Sequence, residues 1–284
     1  MNFHQNPNTF ASEVHLLVSD LNRSISFYTE VIGFKVLEQS DSKAIFTADG
    51  AAPLLTVTES ENVQPMQPRR TGLYHFALLL PTRRDLAKAL RHLVQTGYPL
   101  QGASDHLVSE AIYLGDPDGN GIEIYADRPK EDWSWRGDQV VMSTEPLHVE
   151  ELMSLDDQEA WTGLPSGTIM GHIHLHVADL HAAEQFYCNG LGFDIVTQYG
   201  TQALFISTGS YHHHIGLNTW NGVGAAAPDP NHVGLLFYTL VLPSQVALNE
   251  TIQRLQQIGA WVEEQHSVTW TKDPSGNLIE LRVG

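Results

Sequence analysis

The chain has 284 residues, 42% hydrophobic and 17% charged, a globular make-up with room for about two domains. Its 33 acidic against 15 basic residues give a formal charge of −18, a field that repels phosphate backbones and anionic lipid and argues against nucleic-acid and membrane partners. Apolar runs such as residues 76–80 are too short to span a bilayer, "MNFHQNPNTF" has no secretory pattern, and a lone cysteine, Cys188, excludes an internal disulfide and leads us to expect a cytoplasmic protein.

Residues 13–19 read as a strand that leads through Asp20, an N-cap, into a helix with apolar residues at Leu21, Ile25, Tyr28 and Ile32. Gly33 closes the helix, and short strands follow near 34–39, 43–48 and 53–58. The order then repeats, with a strand at 72–80, a helix at 83–96 ended by Gly97, and strands near 107, 111–115 and 121–126. Residues 128–168, rich in Pro, Trp, Asp, Glu and Ser, form a connector with room for one short helix.

After the connector the chain restates itself. "VHLLVSDLNRSISFYTEVIGF" at 14–34 returns as "IHLHVADLHAAEQFYCNGLGF" at 173–193, and "DPDGNGIEI" at 116–124 returns as "DPSGNLIEL" at 273–281. The expected architecture is therefore α+β, with four βαβββ modules starting near residues 12, 72, 170 and 233. Residues 10–127 and 169–284 are the two copies of a duplicated domain. The stripes Leu86-Ala89-Leu90-Leu93 and Leu248-Ile252-Leu255 are helix core, and Cys188, after the helical "AAEQFY", is a packing residue.

Four βαβββ modules, with "DL…FY…GF" in each odd one, resemble the vicinal oxygen chelate superfamily. That superfamily includes glyoxalase I, bleomycin-resistance proteins and type I extradiol dioxygenases. The resemblance implies that paired modules form half-open barrels, with metal ligands on the first strand of each module and the last strand of even ones. Those positions hold Glu13, His75, His172 and Phe237 on first strands, and Glu123 and Glu280 on last strands. His75, Glu123 and His172 make a set of two imidazoles and one carboxylate, which leaves open positions on Fe(II) or Mn(II) for substrate and O2. Glu13, Phe237 and Glu280 lack an imidazole, so that set reads as silent, its carboxylates serving as hydrogen-bond acceptors. A complete set requires modules two and three to share one barrel, although the best-known extradiol enzymes build theirs from modules three and four. The conventional pairing instead leaves His75, Glu123 and Glu13 together, a one-His, two-carboxylate site.

Two further motifs carry the resemblance. "HLVSEAIYLGDPDGNGIE" at 106–123 is similar to the extradiol ring-cleavage signature at His106, Ile112, Tyr113, Asp116, Pro117, Gly119 and Glu123. Ser104 departs from the residue types usual two positions before the His. Module four keeps Asp273, Pro274, Gly276 and Glu280 but has Trp270 in place of the Tyr. "YHHHIGLN" at 211–218 resembles the segment that supplies a proton-transfer histidine, and aligning Ile215-Gly216-Leu217 gives that role to His213. Alternation along a strand turns His212 and His214 to the other face, whereas His15, His174 and His176 read as lining or packing residues. The implied activity is extradiol cleavage of catechol with O2, with Tyr113 and His106 donating hydrogen bonds to the ring oxygens. A homo-oligomer is compatible with this reading. The alternatives are a metal-dependent glyoxalase-type lyase or isomerase and a non-catalytic, bleomycin-resistance-like binding protein.

Overall fold

Helix starts follow from their capping side chains. Asp20, Thr82, Asp179 and Ser244 each accept a hydrogen bond from the backbone N–H three residues on. In the computed structural model, which describes residues 3–284, module one comprises β1 (Phe10–Val18), α1 (Leu21–Ser26), β2 (Lys35–Gln39), β3 (Lys43–Thr47) and β4 (Leu55–Glu59). Module two comprises β5 (Gly72–Leu79), α2 (Arg83–Thr96), β6 (Leu100–Asp105), β7 (Ser109–Gly115) and β8 (Gly121–Asp127). The connector carries β9 (Trp135–Arg136), β10 (Gln139–Val140), β11 (Glu145–Pro146) and α3 (Val149–Met153). Module three comprises β12 (Ile169–His176), α4 (Leu180–Glu184), β13 (Asp194–Tyr199), β14 (Ala203–Ser207) and β15 (Ile215–Asn218). Module four comprises β16 (Gly234–Leu242), α5 (Gln245–Gln257), β17 (Val262–Gln265), β18 (Val268–Lys272) and β19 (Leu278–Val283).

Three local expectations need correction. The first helix of each odd module changes to a π-helical turn, over Phe27–Ile32 and Gln185–Gly190. The wider turn buries the adjacent pairs Phe27–Tyr28 and Phe186–Tyr187 and leaves Ile25 partly exposed, which a uniform 3.6-residue period does not anticipate. The strand expected near 107 ends at Asp105. There the Asp105 carboxylate accepts the Leu107 N–H at 2.8 Å, and Leu107 takes φ 68°, so residues 106–108 turn instead of extending. His212, His213 and His214 precede β15 and do not lie on it, so strand alternation does not govern their directions.

Strand pairing crosses the two copies. The nine-stranded sheet runs β11-β6-β7-β8-β5-β12-β15-β14-β13 and therefore joins modules two and three. Its seam is the antiparallel pair β5–β12, with His75 opposite His174 and Ala77 opposite His172. The eight-stranded sheet, β17-β18-β19-β16-β1-β4-β3-β2, joins modules four and one through β1 and β16. Both sheets curl into half-barrels. On β5, Phe76 and Leu78 join Leu86, Leu90 and Leu93 of α2 in the main core, while His75 and Ala77 occupy the other face. Each even hairpin is tied to an odd helix: Tyr28 Oη donates to Asp116 at 2.8 Å, and Tyr187 Oη donates to Asp273 at 3.0 Å. No helix among the described residues is long and apolar enough to cross a membrane.

Candidate metal centre and its cavity

Pleating places His75 on β5, Glu123 on β8 and His172 on β12 on one inner face of the nine-stranded sheet. Their side chains meet. Glu123 Oε2 lies 3.0 Å from His75 Nε2 and 3.2 Å from His172 Nε2, and the two Nε2 atoms are 3.3 Å apart. Among the described residues, this is the one group of three or more His, Cys, Asp or Glu side chains with ligand atoms close enough to share a metal ion. Neighbouring ligands about 2.1 Å from an octahedral ion stand about 3.0 Å apart, so the triangle fits a small divalent cation with three further positions open. All three residues are nearly inaccessible to solvent.

The protonation pattern suits a cation as well. Burial alone pushes the Glu123 carboxyl up, but the imidazoles of His172 and His75 beside it hold it well below the usual carboxylate range. Burial lowers His172 to about 4, against the pull of Glu123, so it is neutral near pH 7. An anionic oxygen and neutral imidazole nitrogens are the forms that ligate. His172 lacks the outer hydrogen bond that metal-bound imidazoles usually make, since its Nδ1 is buried without a partner. Gly171 is required beside it: a Cβ there would collide with the hydroxyl of Tyr125, whose ring packs against that of His172.

The triad borders a cavity of about 640 Å³ whose walls include Tyr74, Tyr113, His174, Tyr199, Phe205, His213 and Trp220. Tyr113 sits opposite Glu123 across β7 and β8. His106, in the turn before β7, lies with Nε2 2.6 Å from the Tyr113 hydroxyl and Nδ1 2.7 Å from the Ser143 carbonyl. A carbonyl only accepts, so the hydrogen of that contact is on Nδ1, which leaves Nε2 to pair with the Tyr113 hydroxyl. His106 thus stands behind Tyr113 as well as beside the cavity. Burial and the Glu123 charge hold the Tyr113 phenol well above its ordinary pKa, so it is a hydrogen-bond donor at neutral pH.

His213 is the one member of the histidine run that lines the cavity, its ring centred 4.0 Å from that of His172. Burial, then the neighbouring His172, His212 and His174, push its pKa well below 6.5, so it is a neutral base. His214 is committed elsewhere: Nδ1 accepts from Thr208 N–H at 3.3 Å, and Nε2 faces the Phe3 carbonyl at 3.2 Å. His174 lines the cavity, His176 pairs with Asn218 at 2.7 Å, and His15 stacks on Phe237. Sequence reasoning missed Asp127 and Tyr125 beneath the triad, and the Ser143 anchor from the connector. The first two share the β8 face of Glu123 at two-residue spacing, which was a usable signal.

The corresponding place in the eight-stranded sheet is closed. Arg282 donates to both oxygens of Glu280, at 2.9 and 3.0 Å, and its guanidinium reaches within 4.0 Å of Glu13. Thr56 donates to Glu13 and Thr239 to Glu280, each at 2.8 Å. These carboxylates are hydrogen-bond acceptors.

Comparison with known proteins follows the same division of the chain. The profile of the glyoxalase/bleomycin resistance protein/dioxygenase superfamily matches residues 10–124 and 169–281. The chain is 47% identical over 272 residues to the catechol-2,3-dioxygenase of Bacillus subtilis (strain 168), covering 94% of this chain and 95% of that protein. It is 34% identical over 121 residues to the metallothiol transferase FosB of Lysinibacillus sphaericus, covering 41% of this chain and 83% of that protein. Glyoxalase I from Zea mays shares the fold with a TM-score of 0.60 at 17% identity, over 96% of this chain and 92% of that one.

Proposed function

From a chain that belongs to the glyoxalase/bleomycin resistance protein/dioxygenase superfamily, we propose an Fe(II)-dependent extradiol dioxygenase that opens catechol with O2 to 2-hydroxymuconic semialdehyde. The fold hosts several chemistries, so the site must choose among them. One observation carries the choice. A two-His, one-carboxylate triangle, a Tyr113–His106 pair and a neutral His213 all border one cavity. An enzyme resembling catechol-2,3-dioxygenase over 94% of its length has a use for each of them.

His75, His172 and Glu123 would hold the ion, with Mn(II) acceptable to the same donors. Bound there, Fe(II) supplies Lewis acidity to an adjacent catechol oxygen and an electron path to O2. The chain's own groups do the rest. His213 takes a proton from one ring hydroxyl and can return it later, its neutral form being set by burial. In the empty site the Tyr113 hydroxyl faces His106 Nε2; with catechol bound its single hydrogen would turn to a ring oxygen as negative charge develops, while His106 holds the phenol in place from behind. Tyr74, Phe205 and Trp220 supply flat apolar walls against which the ring can pack.

A glyoxalase-type site would draw a fourth ligand from a two-His, two-Glu set. Here Glu13 and Glu280 belong to the other sheet and are engaged by Thr56, Thr239 and Arg282. The test is to load the protein anaerobically with Fe(II), add catechol, admit oxygen, and follow colour and O2 uptake together. Yellow product with one O2 consumed per ring supports the reading. Bound iron with neither colour nor uptake moves the reading to another ring substrate or to glyoxalase-type chemistry.

A further inference from the structure

His212 is fully buried, does not border the cavity, and is bonded at both ring nitrogens. Its Nε2 lies 2.8 Å from Asp127 Oδ1 at the end of β8, and its Nδ1 lies 2.8 Å from His213 Nδ1. Tyr211 Oη also donates to Asp127 Oδ1, at 3.2 Å, and is itself 2.7 Å from Tyr125 Oη. The hydrogen-bond directions follow from chemistry. An ionised carboxylate only accepts, so His212 carries its proton on Nε2, and a neutral imidazole then has a bare Nδ1. Two Nδ1 atoms 2.8 Å apart share one hydrogen, and His212 has none to give at that atom. His213 therefore donates from Nδ1 and keeps its lone pair on Nε2.

We propose that Asp127 and His212 are positioning residues that fix the tautomer of His213, so that His213 presents an unprotonated Nε2 to the substrate. The chain joins modules: Asp127 comes from module two, and His212 and His213 come from module three. Without it, either His213 nitrogen could hold the hydrogen, and the Nε2–H form would offer the ring hydroxyl a donor where an acceptor is required. A similar loss of correct tautomer is what removing the aspartate of a serine-protease triad produces. The catalytic consequence rests on the proton-transfer role given above to His213, but the tautomer itself does not.

The test reads the tautomer directly. Protein labelled with ¹⁵N at histidine and loaded with diamagnetic Zn(II) is examined at neutral pH by long-range ¹H–¹⁵N correlation, with His213 assigned from the signals lost in His213→Ala. Wild type is expected to show protonated Nδ1 and bare Nε2 at His213. Asp127→Ala, which removes the acceptor for His212 Nε2, is expected to move His213 towards the Nε2–H form. In the Fe(II)-loaded enzyme the same variant is expected to lower kcat about 10² fold with KM within about twofold. His212→Gln, whose amide oxygen can accept from His213 while its NH2 donates to Asp127, is expected to keep the wild-type tautomer and most of kcat. Nε2–H at His213 in wild type, or an unchanged tautomer in Asp127→Ala, overturns the proposal. A merely structural chain would lower the melting temperature of both variants equally and leave the tautomer alone, which also overturns it. The expected spectra in a protein that leaves catechol intact would sustain the tautomer claim and count only against the proposed reaction.

Discussion

Arg282 grips Glu280 through both carboxylate oxygens, at 2.9 and 3.0 Å, at the position corresponding to Glu123 in the other sheet. A side-chain cation stands where the duplicated half would otherwise need a metal ion. With it, Thr239 donates to Glu280 and Thr56 to Glu13, and His15 Nε2 lies 3.0 Å from Glu13 Oε1, so both buried carboxylates are satisfied by side chains. Arg282→Ala is expected to leave ring cleavage within about twofold. It should lower stability by about 1–2 kcal/mol, a modest cost because the guanidinium is half exposed. Urea unfolding alongside steady-state rates checks both.

The two tyrosine–aspartate ties should separate by function. Tyr28→Phe and Tyr187→Phe each remove one donor from a buried carboxylate and should cost about 1–2 kcal/mol. Only Tyr28 anchors the hairpin that presents Tyr113 and Glu123. Its loss is expected to lower kcat several-fold, while Tyr187→Phe leaves kcat unchanged. Comparable kcat losses in both would contradict the assignment of one silent sheet.

Tyr113→Phe keeps the ring and removes the hydroxyl, and is expected to lower kcat about 10² fold with little change in KM. His106→Gln can still accept from Tyr113 and should lose less, about tenfold. Steady-state kinetics on the two variants decide the order.

Buried histidines make the metal-free protein acid-sensitive. Burial lowers His4 and His172 to about 4 and pushes His174 and His214 well below 6.5. Between pH 6.5 and about 4 the unfolded chain binds protons that the folded chain does not, so stability falls as pH falls through that window. Each such group contributes a slope of about 1.4 kcal/mol per pH unit. Urea midpoints should therefore be level from pH 8 to 7 as far as these groups are concerned, and drop between pH 6.5 and 5. A flat profile there would mean that the histidines are solvated.

The repeat and the βαβββ order were legible because each is a local pattern at fixed spacing, whereas His75, Glu123 and His172 were singled out only through the resemblance, which puts ligands on first and last strands. The grouping of modules two and three was one of two pairings the sequence left open, and the β5–β12 seam decides between them. Residues 97–107 misled because "GYPLQGASDHL" alternates weakly, and the turn at Leu107 depends on the Asp105 side chain. The π-helical turns depend on how two adjacent aromatics pack against a sheet, which helical periodicity cannot express. Asp127 and Ser143 were hidden for another reason. Each matters through a partner far along the chain, His212 or His106, and only the folded sheets bring those segments together.

The most direct test is the rate of oxygen-coupled catechol cleavage per chain, with bound iron measured on the same preparations of wild type, His172→Ala and Glu280→Ala. One iron per chain and full turnover are expected in wild type and in whatever folded Glu280→Ala is recovered, with neither iron nor turnover in His172→Ala. Iron and activity that survive in His172→Ala, or that vanish from folded Glu280→Ala, would contradict a single live centre between modules two and three.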